Sequence, residues 1–197
     1  KGNVHSTAIG SKTANCEWEF LTGNSMANFG APIYPYSSLN LKKTFNLVEE
    51  FESLGYETIA FHPYTRTNWN RDKVYKTLGF DSFIADDDLQ GMEVLSWCAS
   101  DRYDYEVLID LFEQKKAPLF LFNVTMQNHG GYYVDFSNKV PLIQVSDELQ
   151  GYTDVKNYLT LVRESDKAFV ELLNYFSRRF LRNRKYIKKL REHIGEQ

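Results

Sequence analysis

Long apolar runs are missing from this 197-residue chain. No uninterrupted stretch approaches the ~18 residues of a membrane-crossing helix, so no bilayer span is expected in it. The first residues, Lys1-Gly2-Asn3-Val4-His5, carry no apolar core of a secretion signal. Repeats at solenoid periods and low-complexity tracts are absent, which excludes repeat architectures. Cysteine is scarce, with only Cys16 and Cys98, and there is no CxxC pair or Cys/His cluster at zinc spacing. A structural zinc site is thereby excluded. One disulfide or none remains open, with two ordinary, partly buried thiols as the favoured reading.

Hydrophobic residues make up 43% of the chain and aromatic ones 15%, too much of both for a disordered polymer. The length suits one domain with a sizeable core. The formal charge of −3 conceals an asymmetry: residues 178–197 hold eight of the 23 basic residues and only two of the 26 acidic ones, so a −9 body carries a +6 tail. A solvated helical end is the favoured reading of that tail, ahead of a nucleic-acid or membrane-surface patch.

Strands alternate with helices. Glu57–Phe61 and residues 118–124 are compact aromatic or β-branched runs bounded by turn residues, and they predict buried strands. Apolar residues at near-helical spacing predict a helix over 38–54, with Gly55 as its C-terminal cap. A second helix is predicted over 100–116, with Ser100 as N-cap and Lys115 and Lys116 in its last turn. A third starts near Asp154 and runs toward the basic tail. This alternation predicts an α/β fold with a mostly parallel sheet sandwiched by helices, in which functional residues gather past the carboxyl ends of the strands.

That rule selects His62, directly after the first strand, and His129, which follows the second after a four-residue connection and stands just before Gly130-Gly131. Thr13 follows the small-residue turn Gly10-Ser11-Lys12 and opens a helix. A hydroxyl there faces free N–H groups and the positive dipole end, which suits an anionic phosphate or sulfate and eases formation of an alkoxide; a plain N-cap is the alternative. The turn is not a P-loop, because the second glycine, directly before the lysine, is missing. In the polar segment 62–72, Arg71 can grip a pair of phosphate oxygens and Trp69 offers a flat wall for a small polyol. The alternative there is a loop pinned by Trp69 packing and an Arg71–Asp72 or helix-capping contact. Asp86-Asp87-Asp88 is read as a solvated loop rather than a metal site.

Taken together, Gly10-Ser11-Lys12-Thr13-Ala14-Asn15-Cys16-Glu17, Phe61-His62-Pro63-Tyr64, Trp69-Asn70-Arg71-Asp72, Gly79-Phe80-Asp81, Asn123-Val124-Thr125-Met126-Gln127-Asn128-His129-Gly130 and Glu164-Ser165-Asp166 resemble the extracellular sulfatase-like domain of the lipoteichoic acid synthase/phosphoglycerol transferase family, in the alkaline phosphatase superfamily. The resemblance covers residues 1–177 as a partial domain, with 178–197 as a basic helical tail outside it. It implies an alkaline phosphatase/sulfatase-like sheet, incomplete in this chain.

It also implies a reaction: transfer of glycerol phosphate from phosphatidylglycerol, or a similar glycerophospholipid, to a glycolipid, polymer or glycan hydroxyl. By position Thr13 matches the nucleophile, which also binds a divalent metal, manganese first and Mg2+ or Zn2+ after it. A covalent phospho-threonine divides the displacement into two steps. His62, Trp69 and Arg71 match the glycerol-phosphate pocket, and His129 matches a histidine beside the transferred phosphate, suited to protonating the leaving group. Such domains work on the extracytoplasmic side of a bacterial membrane.

The family's metal site further needs an acidic residue on a strand before the nucleophile and an Asp-His pair after the 164–176 helix. Neither occurs in this sequence, so Thr13 is the one recognisable metal position, and the chain alone is expected to be inactive. Alternatives are a phosphodiester or sulfate-ester hydrolase of the same superfamily, or a non-catalytic remnant with an anion-binding pocket. Exposed sheet edges predict self-association, and no nucleic-acid partner is expected.

Overall fold

The computed structural model describes residues 5–8, 12–29 and 33–182. Gly10 and Ser11 of the turn before Thr13, and the basic tail from residue 183 onward, lie outside the described residues. The order of elements is α1 (Thr13–Thr22), α2 (Pro35–Ser38), α3 (Leu47–Ser53), β1 (Glu57–Phe61), α4 (Arg71–Leu78), β2 (Ser82–Ile84), α5 (Asp101–Gln114), β3 (Leu119–Asn123) and α6 (Thr153–Arg182), with short 3-10 turns between some of them. The chain divides into two compact units, one of residues up to Gly91 together with Leu111–Val124, the other of Met92–Asp110 together with Thr125 onward.

The first unit holds a parallel sheet in the order β2-β1-β3. Ala60 aligns with Phe83 on one side and Phe122 on the other, and Thr58 aligns with Phe120, so these side chains share a face. Against that face pack Trp18 and Leu21 of α1, Val48 of α3, and Val74, Tyr75 and Leu78 of α4. Phe80 and Phe120 stack with ring centroids 6.2 Å apart, and Phe51 and Phe120 with centroids 4.4 Å apart. Asp81 clamps the sheet edge: its carboxylate accepts from the Thr58 N–H at 2.8 Å and hydroxyl at 3.1 Å, while its own N–H donates back to the Thr58 hydroxyl at 3.0 Å. The Gly79-Phe80-Asp81 segment is therefore architectural.

The expected single helix over 38–54 is broken. Asn46 is the reason: its side-chain oxygen accepts from the N–H groups of Val48 and Glu49 at 3.0 and 3.1 Å, which starts a new helix at Leu47. Gly55 does close that helix, at φ +80°, with the Gly55 and Tyr56 N–H groups returning to Glu52 and Phe51. β2 was not foreseen, because three residues are too few to show an alternating pattern.

In the second unit, Ser100 caps α5 by accepting from the Tyr103 N–H at 3.1 Å. Leu95, Phe136 and Leu161 form a small core. The helix α6 runs without interruption past residue 177 to Arg182. Among the described residues no helix is long and apolar enough to cross a membrane.

Candidate functional site

In the first unit, β1 and β3 are adjacent while the chain leaves β1 for β2 on the other side, so the sheet has a switch point between β1 and β3. His62 sits there. Its N–H donates to Ile84 O at 3.0 Å, Val124 N–H donates to Phe61 O at 3.0 Å, and His62 Nδ1 donates to Val124 O at 2.7 Å. His62 thus ties the carboxyl end of β1 to Ile84 through its backbone and to Val124, just past β3, through its ring, and it is only 2% exposed. Burial, with the neighbouring Arg71 guanidinium adding to it, lowers its pKa to about 4. With Nδ1 protonated against a carbonyl, Nε2 is the ring nitrogen left to accept.

Thr13 is the first residue of α1. Lys12 holds the N-cap position without a side-chain cap hydrogen bond, so the threonine is not the cap that a plain structural reading would make it. Its side chain is exposed, at a helix end whose first N–H groups lack intrahelical partners. Beside it, Lys12 Nζ donates to the Tyr34 hydroxyl at 2.7 Å and lies 4.4 Å from the Tyr34 ring and 5.9 Å from the Trp69 ring. The Tyr34 and Trp69 rings are 5.9 Å apart. Trp69 and the following Asn70 both adopt left-handed backbone, at φ 56° and 57°, the two non-glycine residues that do so among those described. Such strain gathers at functional sites. Lys12 and Tyr34 had not been singled out; the lysine stood in a quoted motif, but nothing local links it to a tyrosine 22 positions away.

Arg71 departs from expectation. Instead of opening toward a pocket, its guanidinium is 1% exposed and grips Glu17, with Nη2 to Oε1 at 2.5 Å and Nε to Oε2 at 3.3 Å, while Nη1 donates to Asn68 O at 3.5 Å. Glu17 Oε2 also accepts from the hydroxyls of Tyr36 at 3.1 Å and Tyr75 at 2.8 Å. Burial raises the pKa of both phenols, which keeps them donors. The contact to Asp72 considered from sequence is not the one that forms. A buried cation needs a buried anion, and Glu17, one turn after Thr13 on α1, supplies it. The structure therefore makes Arg71 the fastening between α1 and α4 rather than an open phosphate clamp.

The acidic triplet is also more engaged than a solvated loop. Arg66 Nη2 binds Asp87 at 2.7 Å and also Asp88, and Arg66 Nη1 donates to Phe83 O at 2.7 Å. Cys16 is exposed and Cys98 buried, and both are free thiols; burial raises Cys98 to about 12. No three His, Cys, Asp or Glu side chains among the described residues could hold a metal ion. Thr13 alone does not fit a divalent-ion site, which takes several ligands, typically at least three from protein in catalytic zinc sites.

In the second unit, His129 is exposed on a loop fixed on several sides. Gln127 accepts from the Asp101 N–H at 2.9 Å and donates to Leu161 O at 2.8 Å. Asn128 donates to the Ser165 hydroxyl at 2.7 Å, Ser165 donates in turn to Asp101, and the Tyr132 hydroxyl donates to Asn128 O at 2.8 Å. Ser165, quoted in the Glu164-Ser165-Asp166 segment, is thus a brace for the histidine loop.

The chain matches the Sulfatase family over residues 1–184. It is 32% identical over 179 residues to the "Putative cyclic beta-1,2-glucan modification protein" of Rhizobium meliloti, covering 90% of this chain and 28% of that protein. It is 27% identical over 195 residues to the lipoteichoic acid synthase of Staphylococcus aureus, covering 97% of this chain and 29% of that one. The chain thus spans less than a third of the length of these curated relatives. Among solved structures, the Streptococcus pyogenes phosphoglycerol transferase GacH in complex with sn-glycerol-1-phosphate superposes with a TM-score of 0.71 at 27% identity, over 88% of this chain and 46% of that one. The chain belongs to the sulfatase family, as a domain similar to lipoteichoic acid synthase and phosphoglycerol transferase.

Proposed function

We propose that this chain supplies the nucleophile and part of the substrate pocket of a glycerophosphotransferase. The observation that carries the reading is Thr13, an exposed hydroxyl on the first residue of a ten-residue helix, in a chain that resembles a phosphoglycerol transferase bound to sn-glycerol-1-phosphate. In the proposed first step a Thr13 Oγ–P bond forms and the P–O bond to diacylglycerol breaks. The threonine proton ends on the diacylglycerol oxygen. In the second step an acceptor hydroxyl attacks phosphorus, the Thr13 Oγ–P bond breaks, and the acceptor's proton returns to the threonine. Free N–H groups at the helix end and the Lys12 ammonium favour the developing negative charge.

Trp69 and Tyr34, gathered at the Lys12 ammonium next to Thr13 in sequence, suit the carbon edge of a glycerol. His62, buried and neutral, has Nε2 available to accept from a glycerol hydroxyl. Arg71 acts through its hold on Glu17, and His129 is assigned to proton transfer to the leaving oxygen. The donor is a glycerophospholipid such as phosphatidylglycerol. The relative named for cyclic glucan modification favours a glycan hydroxyl as acceptor over a glycolipid or polymer. The setting is the extracytoplasmic side of a bacterial membrane. A divalent cation, manganese by family resemblance, would need ligands beyond the described residues, and none of these steps is assigned to it.

The test is release of diacylglycerol from a phosphatidylglycerol analogue by the intact gene product that carries this chain. Thr13→Ala is expected to abolish release; turnover that survives the substitution removes Thr13 from the nucleophile role.

A further inference from the structure

Trp97 stands outside every motif quoted above, yet it lies against the His129 loop. Its indole N–H donates to the carbonyl oxygen of Gly130 at 3.0 Å. The same carbonyl lies 3.4 Å from His129 Nδ1, and a carbonyl can only accept, so Nδ1 is the protonated nitrogen. The indole and imidazole rings are perpendicular, at 89°, with centroids 5.5 Å apart. The approach leaves no room for a side chain: a Cβ on Gly131 would come within 2.7 Å of Trp97 Nε1, and Gly131 has φ +111°. A tryptophan, two glycines and a histidine are thus fitted to one another on a surface loop.

We propose that Trp97 is a positioning residue for His129: it fixes the Gly130 carbonyl beneath Nδ1 and stands perpendicular to the ring, so that the imidazole holds one tautomer with Nε2 turned to exchange protons. The proposal rests on the reading of His129 as the group that serves the leaving oxygen. A histidine that must deliver its proton at a defined atom gains from a partner on the other nitrogen. The Gly130 carbonyl is that partner, and Trp97 is what holds it.

Two measurements test this. In the 15N-histidine-labelled protein, with the imidazole neutral and the His129 resonances assigned by their loss in His129→Gln, the wild type is expected to show Nδ1–H as the dominant form. Trp97→Phe keeps a ring but removes the N–H, and it should shift His129 to the tautomer mixture of a solvated histidine. Gly131→Ala, which displaces the indole without removing it, should do the same. An unchanged tautomer in Trp97→Phe overturns the proposal. In the intact gene product, Trp97→Phe should lower kcat about tenfold with little change in KM; an unchanged kcat beside an active-site role for His129 also overturns it. If instead His129→Gln leaves turnover intact, the assignment of His129 fails, and the tautomer measurement still decides what Trp97 does.

Discussion

His62 Nδ1 donates to the Val124 carbonyl at 2.7 Å, across 62 residues of sequence and across the switch point of the sheet. A neutral imidazole is built into the carboxyl edge of the strands, and acid must disturb it. Above pH ~6.5 the ring is neutral in both folded and unfolded chains. Between about 6.5 and 4 the unfolded chain takes up a proton that the native one refuses, since burial and Arg71 hold the native pKa at about 4. Stability therefore falls as pH drops through this window, by about 3 kcal/mol at most from this residue, and levels off below it. Thermal melts from pH 7 to 4 check this; His62→Gln, uncharged throughout, should flatten the decline.

Glu17 and Arg71 make a second long-range tie. Each is nearly inaccessible, with side chains 3% and 2% exposed. Removing the anion leaves a buried, unpaired guanidinium, so Glu17→Ala should cost about 3–5 kcal/mol in urea denaturation. The double replacement Glu17→Gln with Arg71→Met should cost less than the two single losses added, because it leaves no stranded charge.

Thr13 predicts the opposite profile. Its hydroxyl is exposed and caps nothing among the described residues, so Thr13→Ala should change stability by under about 0.5 kcal/mol while abolishing turnover. A large fall in melting temperature would show that the hydroxyl serves the fold.

Each residue of β3 is half-buried, and no strand among those described pairs beyond it. An edge of this kind favours association, and light scattering should find dimers or larger species at micromolar concentration. A monomer contradicts that expectation.

Much of the scaffold could be read from local chemistry. β1 matches its expected bounds, and β3 lies inside the expected run; Ser100 and Gly55 act as the caps their types suggest. The position of Thr13 at a helix start followed from the small residues before it. What escaped depends on distance in sequence or on competition at one residue. Asn46 lies within an apolar periodicity that runs through it, and only its cap shows that the helix restarts. The partner of Arg71 is 54 residues away, and among many carboxylates nothing local marks Glu17 as that partner. Trp97 lies in none of the quoted motifs, and only its N–H on the carbonyl next to His129 gives it a role.

The central claim is that Thr13 carries the transferred group. The direct measurement is peptide mass mapping after the intact gene product has been incubated with phosphatidylglycerol without an acceptor and quenched in acid. The account predicts one added glycerol phosphate, esterified to Thr13 and absent from Thr13→Ala. Diacylglycerol release with Thr13 unmodified, or the adduct on another residue, would contradict it.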